Sequence, residues 1–510
     1  MNLILNNRQI LDWDLYTIQH EPITSIDLME RAALKCTQWI LEHFTTNHNF
    51  IVFAGPGNNG GDGLAIARQL LDAGAEVQVL YDKQVNVSQD NQHNYLRLQH
   101  TYPHSIRSYH DTLSYNDQSI VIDAMFGTGL HSSLRSPWAE RALRINAMNT
   151  TTVSIDIPSG LSADTYIDSA VVVNAHYTLS FECFKIAFIF PETGQYCGQI
   201  ILLPIGLHPH YLNTLSIQSI LMDKERALSF YKVRNPFSHK GSHGHTLLAC
   251  GSRGKIGAAI LAANACLRSG TGLVTVLIPT QEYPILAAAV PEAMTIAYDD
   301  NHFQIDLTKY EAIALGCGMG THQLATDIVA QCIQKSTIPL LLDADAITIL
   351  SLHPSYLDAL PAQSLLTPHP IEFDRLFGHH IHSFARHQTA AKQAIERQLF
   401  ILLKGRYSIL YCPNGDQIVN TSGNASLAKG GSGDTLSGII AALMAQYRDT
   451  GTAAALGMYL HGLAADYCAS QSGIEAITAT DICLALKEVF HQLNLQSNTR
   501  QSPHTHTEYS

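Results

Sequence analysis

Short apolar runs recur along this chain. Most end in a turn rich in Gly, Asp or Ser and then give way to a helix-length segment. The stretch "FAGPGNNGGDGLAIARQLLDAG", from Phe53 to Gly74, follows the apolar run Ile51–Phe53 and leads into "AEVQVLY", which alternates as a strand does. Repeated β–turn–helix units of this kind place strands in parallel and cover both faces of the sheet with helices. The chain has 510 residues, too many for one ordinary core. Two α/β domains of roughly 200–280 residues each are expected.

The first series of strand-like runs is Phe50–Ala54, Glu76–Tyr81, Ser119–Phe126, Thr152–Ile157 and Tyr177–Cys183. Before it, "SIDLMERAALKCTQWIL" carries apolar residues at helical spacing, with Ser25 as the expected N-cap. A break comes near "LPIGLHPHYLNTLS", and the second series follows: His245–Cys250, Leu273–Pro279, Ala312–Leu315, Pro339–Leu342, Leu365–Thr367 and Phe400–Leu403. "RYSILYCPNGDQIVN" reads as a hairpin turning at Asn414-Gly415. The boundary is placed within Leu221–Ala227, giving domains over 1–222 and 223–494. Residues 495–510 are polar and expected to be disordered.

Apolar residues make up 46% and charged residues 15%, so both cores can be filled. The net charge is −12 and no long basic run occurs, which argues against a nucleic-acid scaffold. No apolar run approaches the roughly 20 residues that cross a bilayer. The start "MNLILNNRQILDWDLY" lacks the basic and apolar regions of a secretory signal. Ten Cys without a CxxC pair read as reduced, buried thiols of a cytoplasmic protein. His239, His243 and His245 in "SHKGSHGH" have no acidic partners at ligand spacing and read as polar loop residues.

Three turns in the first half carry chemistry. "GPGNNGG" lets the backbone approach a ligand closely, and the free N–H groups of the helix behind it favour phosphate. "VIDAMFGTGL" puts Asp123 at a strand end with Gly127 and Gly129 after it; "VSIDIPSGLSAD" does the same for Asp156 and Ser159. In a doubly wound sheet these strand ends converge on one crevice. Carboxylate beside Asn and Ser oxygens suits a hard cation. Helix capping is the plainer use of each carboxylate taken alone.

In the second half, "KGGSGDTLSGII" is the sharper motif. The amides of Gly430, Gly431 and Gly433 can form an anion hole at a helix start. Asp434 opens that helix, either as its N-cap or as a base for an acceptor hydroxyl. "HGHTLLACGSRGKIGAAILA", "IALGCGMGT", "LLDADAITIL", "LLTPHPIEFDRLFG" and "FILLKGRYSIL" add further strand-end turns, with Asp343, Asp345, His369 and Lys404 among their polar residues.

"AGPGNNGGDGLAIAR", "DAMFGTGL" and "DIPSGL" together resemble the epimerase domain of the NAD(P)H-hydrate repair enzymes over roughly residues 10–220. The "GSGD" helix and the turns around it resemble the ADP-dependent NAD(P)H-hydrate dehydratase domain over about residues 225–490. The resemblance implies a Rossmann-like three-layer domain followed by a ribokinase-like α/β domain. It implies that Asn58, Asn59, Gly60, Gly61, Asp62, Gly127, Thr128, Gly129, Leu130, His131, Ser132 and Ser133 hold the damaged dinucleotide. It implies potassium at Asn59, Asp123 and Ser159, with Asp156 on the hydrated nicotinamide and handling the proton. Lys185, in "SFECFKIAF", falls near the family's Lys in "KPG". In the second domain Ala258, Gly320, His369 and Asp434 would contact the hydrated dinucleotide. Lys404, Gly405, Arg406, Tyr407, Ser408 and Gly433 would contact the adenine nucleotide.

The implied co-substrate is ADP with magnesium, and the catalytic residues are Asp156 and Asp434. The chain departs from the family at Ile371, where "PHPGE" reads "PHPIE", and at Arg406 and Tyr407, which are larger than usual. A soluble homo-oligomer acting on small molecules, without nucleic-acid or membrane partners, is expected. Two rivals remain open on sequence: an ATP-dependent vitamin or sugar kinase with an accessory first half, and a nucleotide-sensing binding protein.

Overall fold

The computed structural model describes residues 3–82, 86–168, 171–216, 219–299 and 305–501. The chain divides into two compact units, Met1–Ile217 and Gln218–Ser510.

The first unit holds one seven-stranded sheet. Its strands are β1 (Asn49–Ala54), β2 (Glu76–Leu80), β3 (Ile106–Arg107), β4 (Ile120–Ala124), β5 (Thr151–Ile155), β6 (Tyr177–Phe181) and β7 (Gln199–Leu203). The order is β3-β2-β1-β4-β5-β6-β7 and every neighbouring pair is parallel. Residues of β1 alternate between two cores. Phe50 and Val52 pack with the helices Ser25–His43 and Asn58–Asp72, while Ile51 and Phe53 pack with Trp138–Ala147. This is the expected three-layer arrangement. The strand order reverses at β1 and β4, so the ligand crevice of such a sheet lies at their carboxyl ends.

The second unit builds a ten-stranded sheet, ordered β11-β10-β9-β12-β13-β14-β15-β16-β17-β8. Its members are β8 (Ser219–Met222), β9 (His245–Ala249), β10 (Leu273–Pro279), β11 (Met294–Tyr298), β12 (Ala312–Leu315), β13 (Leu340–Leu342), β14 (Leu365–Leu366), β15 (Phe400–Leu403), β16 (Ile409–Tyr411) and β17 (Gln417–Asn420). Among the described residues only β15–β16 and β16–β17 pair antiparallel, and the expected turn at Asn414-Gly415 joins the latter, with Gly415 at φ +93°. The order reverses between β9 and β12, which sets the second crevice.

Three expectations are corrected. The helix Ser25–His43 is capped by Thr24, whose Oγ1 takes Asp27 N–H; Ser25 already lies inside and donates to Asp90 Oδ2 at 2.5 Å. The unit boundary precedes residue 219, because Ser219–Met222 already pairs with Gln417–Asn420. The last helix, Ala479–Gln501, runs past residue 495 because Leu486, Val489 and Leu493 on one face are buried in the core; residues 502–510 of the expected disordered tail lie outside the described residues. All ten Cys are buried and unpaired. Among the described residues no helix is long and apolar enough to cross a membrane.

Candidate active sites

In the first unit, the loop after β1 runs into a helix that starts at Asn58, capped by Gly57 without a side-chain bond. Its first N–H groups are thus free for an anion. Gly60 has to be glycine there: a Cβ would lie 1.9 Å from the Gly55 carbonyl oxygen. Asn91 braces the turn, its Nδ2 donating to Gly55 O at 2.9 Å and Gly57 O at 2.8 Å, while Tyr81 OH holds its Oδ1. Gly60→Ala is expected to cost at least about 3 kcal/mol, the upper range of overpacking, read as a lowered unfolding midpoint. A variant as stable as the parent would show that the loop does not pack this way.

Asp123, at the end of β4, is fully buried and does not cap a helix. Its carboxylate accepts Ser159 Oγ (2.6 Å), Ser159 N (2.9 Å), Ser154 Oγ (2.9 Å) and Met125 N (3.3 Å). Burial pushes its pKa up against these bonds. Ser159 Oγ also accepts Phe126 N–H at 2.9 Å, tying the β4 and β5 ends together. Asn59 is buried with both amide atoms lacking partners. Orphaned amide oxygen, hydroxyl and carboxylate make an all-oxygen donor set, which fits a hard monovalent cation.

Asp156 stands at φ +68°, a costly conformation for a non-glycine residue and common at functional positions. Its Oδ2 accepts Thr128 N–H at 3.2 Å; its Oδ1 lies 2.8 Å from Lys185 Nζ. Lys185 is fully buried and also donates to Ser180 Oγ at 2.5 Å. A Cβ on Gly127 would sit 3.1 Å from Asp156 Oδ2 and 3.3 Å from Asn59 Cγ, so the β1 and β4 loops and Asp156 share one small space. Asp62, one helical turn after Asn59, is buried; burial first and Asp156 second push its carboxyl well up. Asp14, on the helix Asn7–His20, is raised to about 7 by burial and then by Asp156. No local motif marks Asp14. Only the packing of its helix, with Trp13 Nε1 donating to His208 O, brings it to the site. Asn58, Gly129, His131 and Ser132 are exposed around the crevice, with Leu130 and Ser133 half-buried.

In the second unit the turn "KGGSGD" precedes the helix Ser432–Tyr447. Gly431, at φ +88°, is the N-cap, so Asp434 lies within the first turn and makes no capping bond. Burial, then Asp343, raises its carboxyl to about 6. Beside it, Lys404 Nζ sits 2.7 Å from Asp343 Oδ1, and Ser437 Oγ donates to Asp343 Oδ2 at 2.8 Å. A Cβ on Gly433 would lie 3.6 Å from Lys404 Nζ and 3.7 Å from Asp343 Oδ2. The lysine thus stands at the glycine turn.

Gly318 abuts Ala258, where an added Cβ would meet the Ala258 Cβ at 2.8 Å. Gly320 N–H donates to Asp345 Oδ2 at 2.8 Å. His369 caps the helix Pro370–Phe377, its Nδ1 accepting Ile371 and Glu372 N–H, with Nε2 3.4 Å from Glu372 Oε1. Gly405 N–H and Ser408 Oγ close the turn after β15 at 3.4 Å, and Arg406 turns away to Gly423 O at 2.8 Å while lying over the Tyr407 ring. The enlarged side chains at 406 and 407 thus stack on each other.

Two family models match the chain: one described as YjeF-related protein N-terminus over residues 25–187, and one as NAD(P)H-hydrate dehydratase over residues 246–488. A bifunctional NAD(P)H-hydrate repair enzyme Nnr of Moorella thermoacetica is 34% identical over 503 residues, covering 94% of this chain and 94% of the relative. A bifunctional NAD(P)H-hydrate repair enzyme of Leishmania braziliensis is 31% identical, covering 94% and 92%. The crystal structure of an ADP/ATP-dependent NAD(P)H-hydrate dehydratase from Bacillus subtilis, co-crystallized with ATP/Mg2+, is 28% identical with a TM-score of 0.47, covering 54% of this chain and 98% of that one. Both halves of the chain are thus matched, in order and nearly end to end, and the chain belongs to the family of bifunctional NAD(P)H-hydrate repair enzymes.

Proposed function

We infer that the chain repairs hydrated NADH and NADPH at two sites. The first interconverts the R and S epimers at C6 of the reduced ring. The second dehydrates the S epimer with ADP, giving AMP and phosphate. The observation that carries this reading is Asp434, uncapped and raised to about 6 beside Lys404 at a glycine turn. A general base poised near neutrality next to a phosphate cradle suits phosphoryl transfer to a hydroxyl.

Hydroxide is a poor leaving group. Asp434 takes the C6 hydroxyl proton as that oxygen attacks the terminal phosphorus of ADP, and AMP departs. The Gly430, Gly431 and Gly433 amides and Lys404 meet the phosphoryl charge. The ring nitrogen lone pair then expels phosphate from C6, and loss of a C5 proton restores NAD(P)H. Magnesium, when bound, neutralises phosphate charge. Ala258, Gly320 and His369 line the dinucleotide side, and Gly405 to Ser408 the adenine nucleotide side.

In the first site, opening the ring between N1 and C6 needs a base on the hydroxyl and a proton for N1. Asp156, held by Lys185, supplies the first function. Asp62, whose carboxyl is pushed well up by burial and then by Asp156, supplies the second. Closure on the other face inverts C6 and returns both protons. Asn59, Asp123 and Ser159 would hold potassium, which would supply positive charge for the phosphates of the dinucleotide.

Hydrated NADH incubated with ADP or with ATP, followed at 340 nm, tests the reading. Recovery of absorbance with a nucleoside diphosphate supports it; stable phosphorylation of another alcohol with ATP and no NADH recovery would favour the kinase instead. A pH profile gives a further prediction. Asp434 must be ionised to act, so dehydration is expected to fall as pH drops through about 6. An acid limb nearer pH 4 would show that the base sits in a less buried place.

A further inference from the structure

Asp343 is 2% exposed and lies where a tight turn leaves β13. Its position is fixed by the main chain. Asp343 N–H donates to Leu315 O at 3.0 Å, and the next residue, Ala344, takes φ +46°. Gly316, at φ +123°, makes room for it, since a Cβ there would lie 1.8 Å from the Asp343 carbonyl oxygen. The carboxylate spends one oxygen on Lys404 at 2.7 Å and the other on Ser437 at 2.8 Å. Ser437 lies three residues after Asp434 on the same helix, hence on the same face. Asp343 is therefore tied at once to the lysine at the glycine turn and to the helix that carries the base.

We propose that Asp343 is the positioning residue of the second site: with Lys404 on one oxygen and Ser437 on the other, it fixes the charge that the Asp434 carboxyl faces. The inference rests on the reading of Asp434 as the base. Asp343 and Lys404 act on that carboxyl with opposite sign, Asp343 disfavouring its ionised form and Lys404 favouring it. Burial works against the charge of each, yet Lys404 holds Asp343 below the usual carboxylate range and Asp343 holds Lys404 above its ordinary value, so both are ionised. The other groups facing Asp434 are Asp345 on the helix Ala344–Leu352, Cys317 after β12 and Cys250 after β9; burial pushes both thiols up, and they stay neutral. Nucleotide phosphates compete with Asp343 for the same ammonium.

The test is the pH dependence of kcat/KM for ADP, which reports the nucleotide-free site. Asp343→Asn is expected to move the acid limb to lower pH by about one unit. Lys404→Gln is expected to move it to higher pH. Asp343→Glu, which keeps the charge, returns the limb toward that of the parent. Shifts in the same direction, or limbs that stay put while only the rate falls, overturn the proposal. If Asp343→Asn does not fold, Lys404→Gln still decides, because an unmoved or lowered limb in that variant is sufficient to reject it. Failure of the underlying reading looks different: Asp434→Asn would then remain active.

Discussion

Asp434→Asn lowers ADP-dependent dehydration by about 10²–10⁴-fold, the range for loss of a general base, and leaves epimerisation at the parent rate. The helix should survive the change. Its N-cap is Gly431, Asp434 makes no capping bond, and Asn keeps the shape of the side chain. What is lost is the proton acceptor, and with it the nucleophilic oxygen at C6. Binding of ADP should persist, because Lys404 and the glycine turn remain and one negative charge near the phosphates is gone. Single-turnover assays with the S hydrate separate the two effects. A folded variant that dehydrates at the parent rate removes Asp434 from the chemistry.

The second large effect belongs to Asp156→Asn. Its Oδ1 pairs with the buried Lys185 and its Oδ2 takes the Thr128 amide. Asn retains a polar side chain at φ +68°, where Asn is tolerated better than most residues. It cannot accept the hydroxyl proton, and it leaves an ammonium without its counter-charge. Epimerisation is expected to fall by about 10²-fold or more. Starting from an epimer mixture, the S portion is then consumed at the normal rate, and the remainder decays only as fast as it epimerises spontaneously. The progress curve becomes biphasic, and a separate active epimerase restores a single phase. Single-phase kinetics in the variant alone would place the proton chemistry elsewhere. Asp123 is a poorer target for this purpose: its four hydrogen bonds make its removal a structural injury.

Much of the frame was legible because buried parallel strands are continuous apolar runs. Leu273–Pro279, Ala312–Leu315 and Phe400–Leu403 were placed to the residue. The segments missed as strands lie at or next to sheet edges. Ile106–Arg107 has two residues, and Gln199–Leu203 and Met294–Tyr298 are only partly buried, so partners rather than composition define them. The glycine turns were equally readable, since close backbone approach admits no other residue. The acids were harder. Asp434 reads on sequence as a possible cap, and only the αL geometry of Gly431 frees it. Asp14 and the Lys185–Asp156 pair join elements far apart in the chain and have no local spacing to betray them. Asp343 stood in a visible "LLDAD", but its tie to Lys404 needs β13 and β15 aligned across the strand β14 between them.

The strand Ser219–Met222 opens the second unit yet sits at the far edge of its sheet, beside Gln417–Asn420, 198 residues later at the Ser219–Gln417 contact. During synthesis this segment emerges early and has nothing to pair with. At ribosomal rates of about 5–20 residues per second, its partner follows roughly 10–40 s afterwards. Until then the nascent chain displays an open β edge, a surface that other chains can join. Polypeptides arrested before residue 417 are therefore expected to aggregate or to occupy chaperones, because this strand finds its place in the sheet only once Gln417–Asn420 has been made.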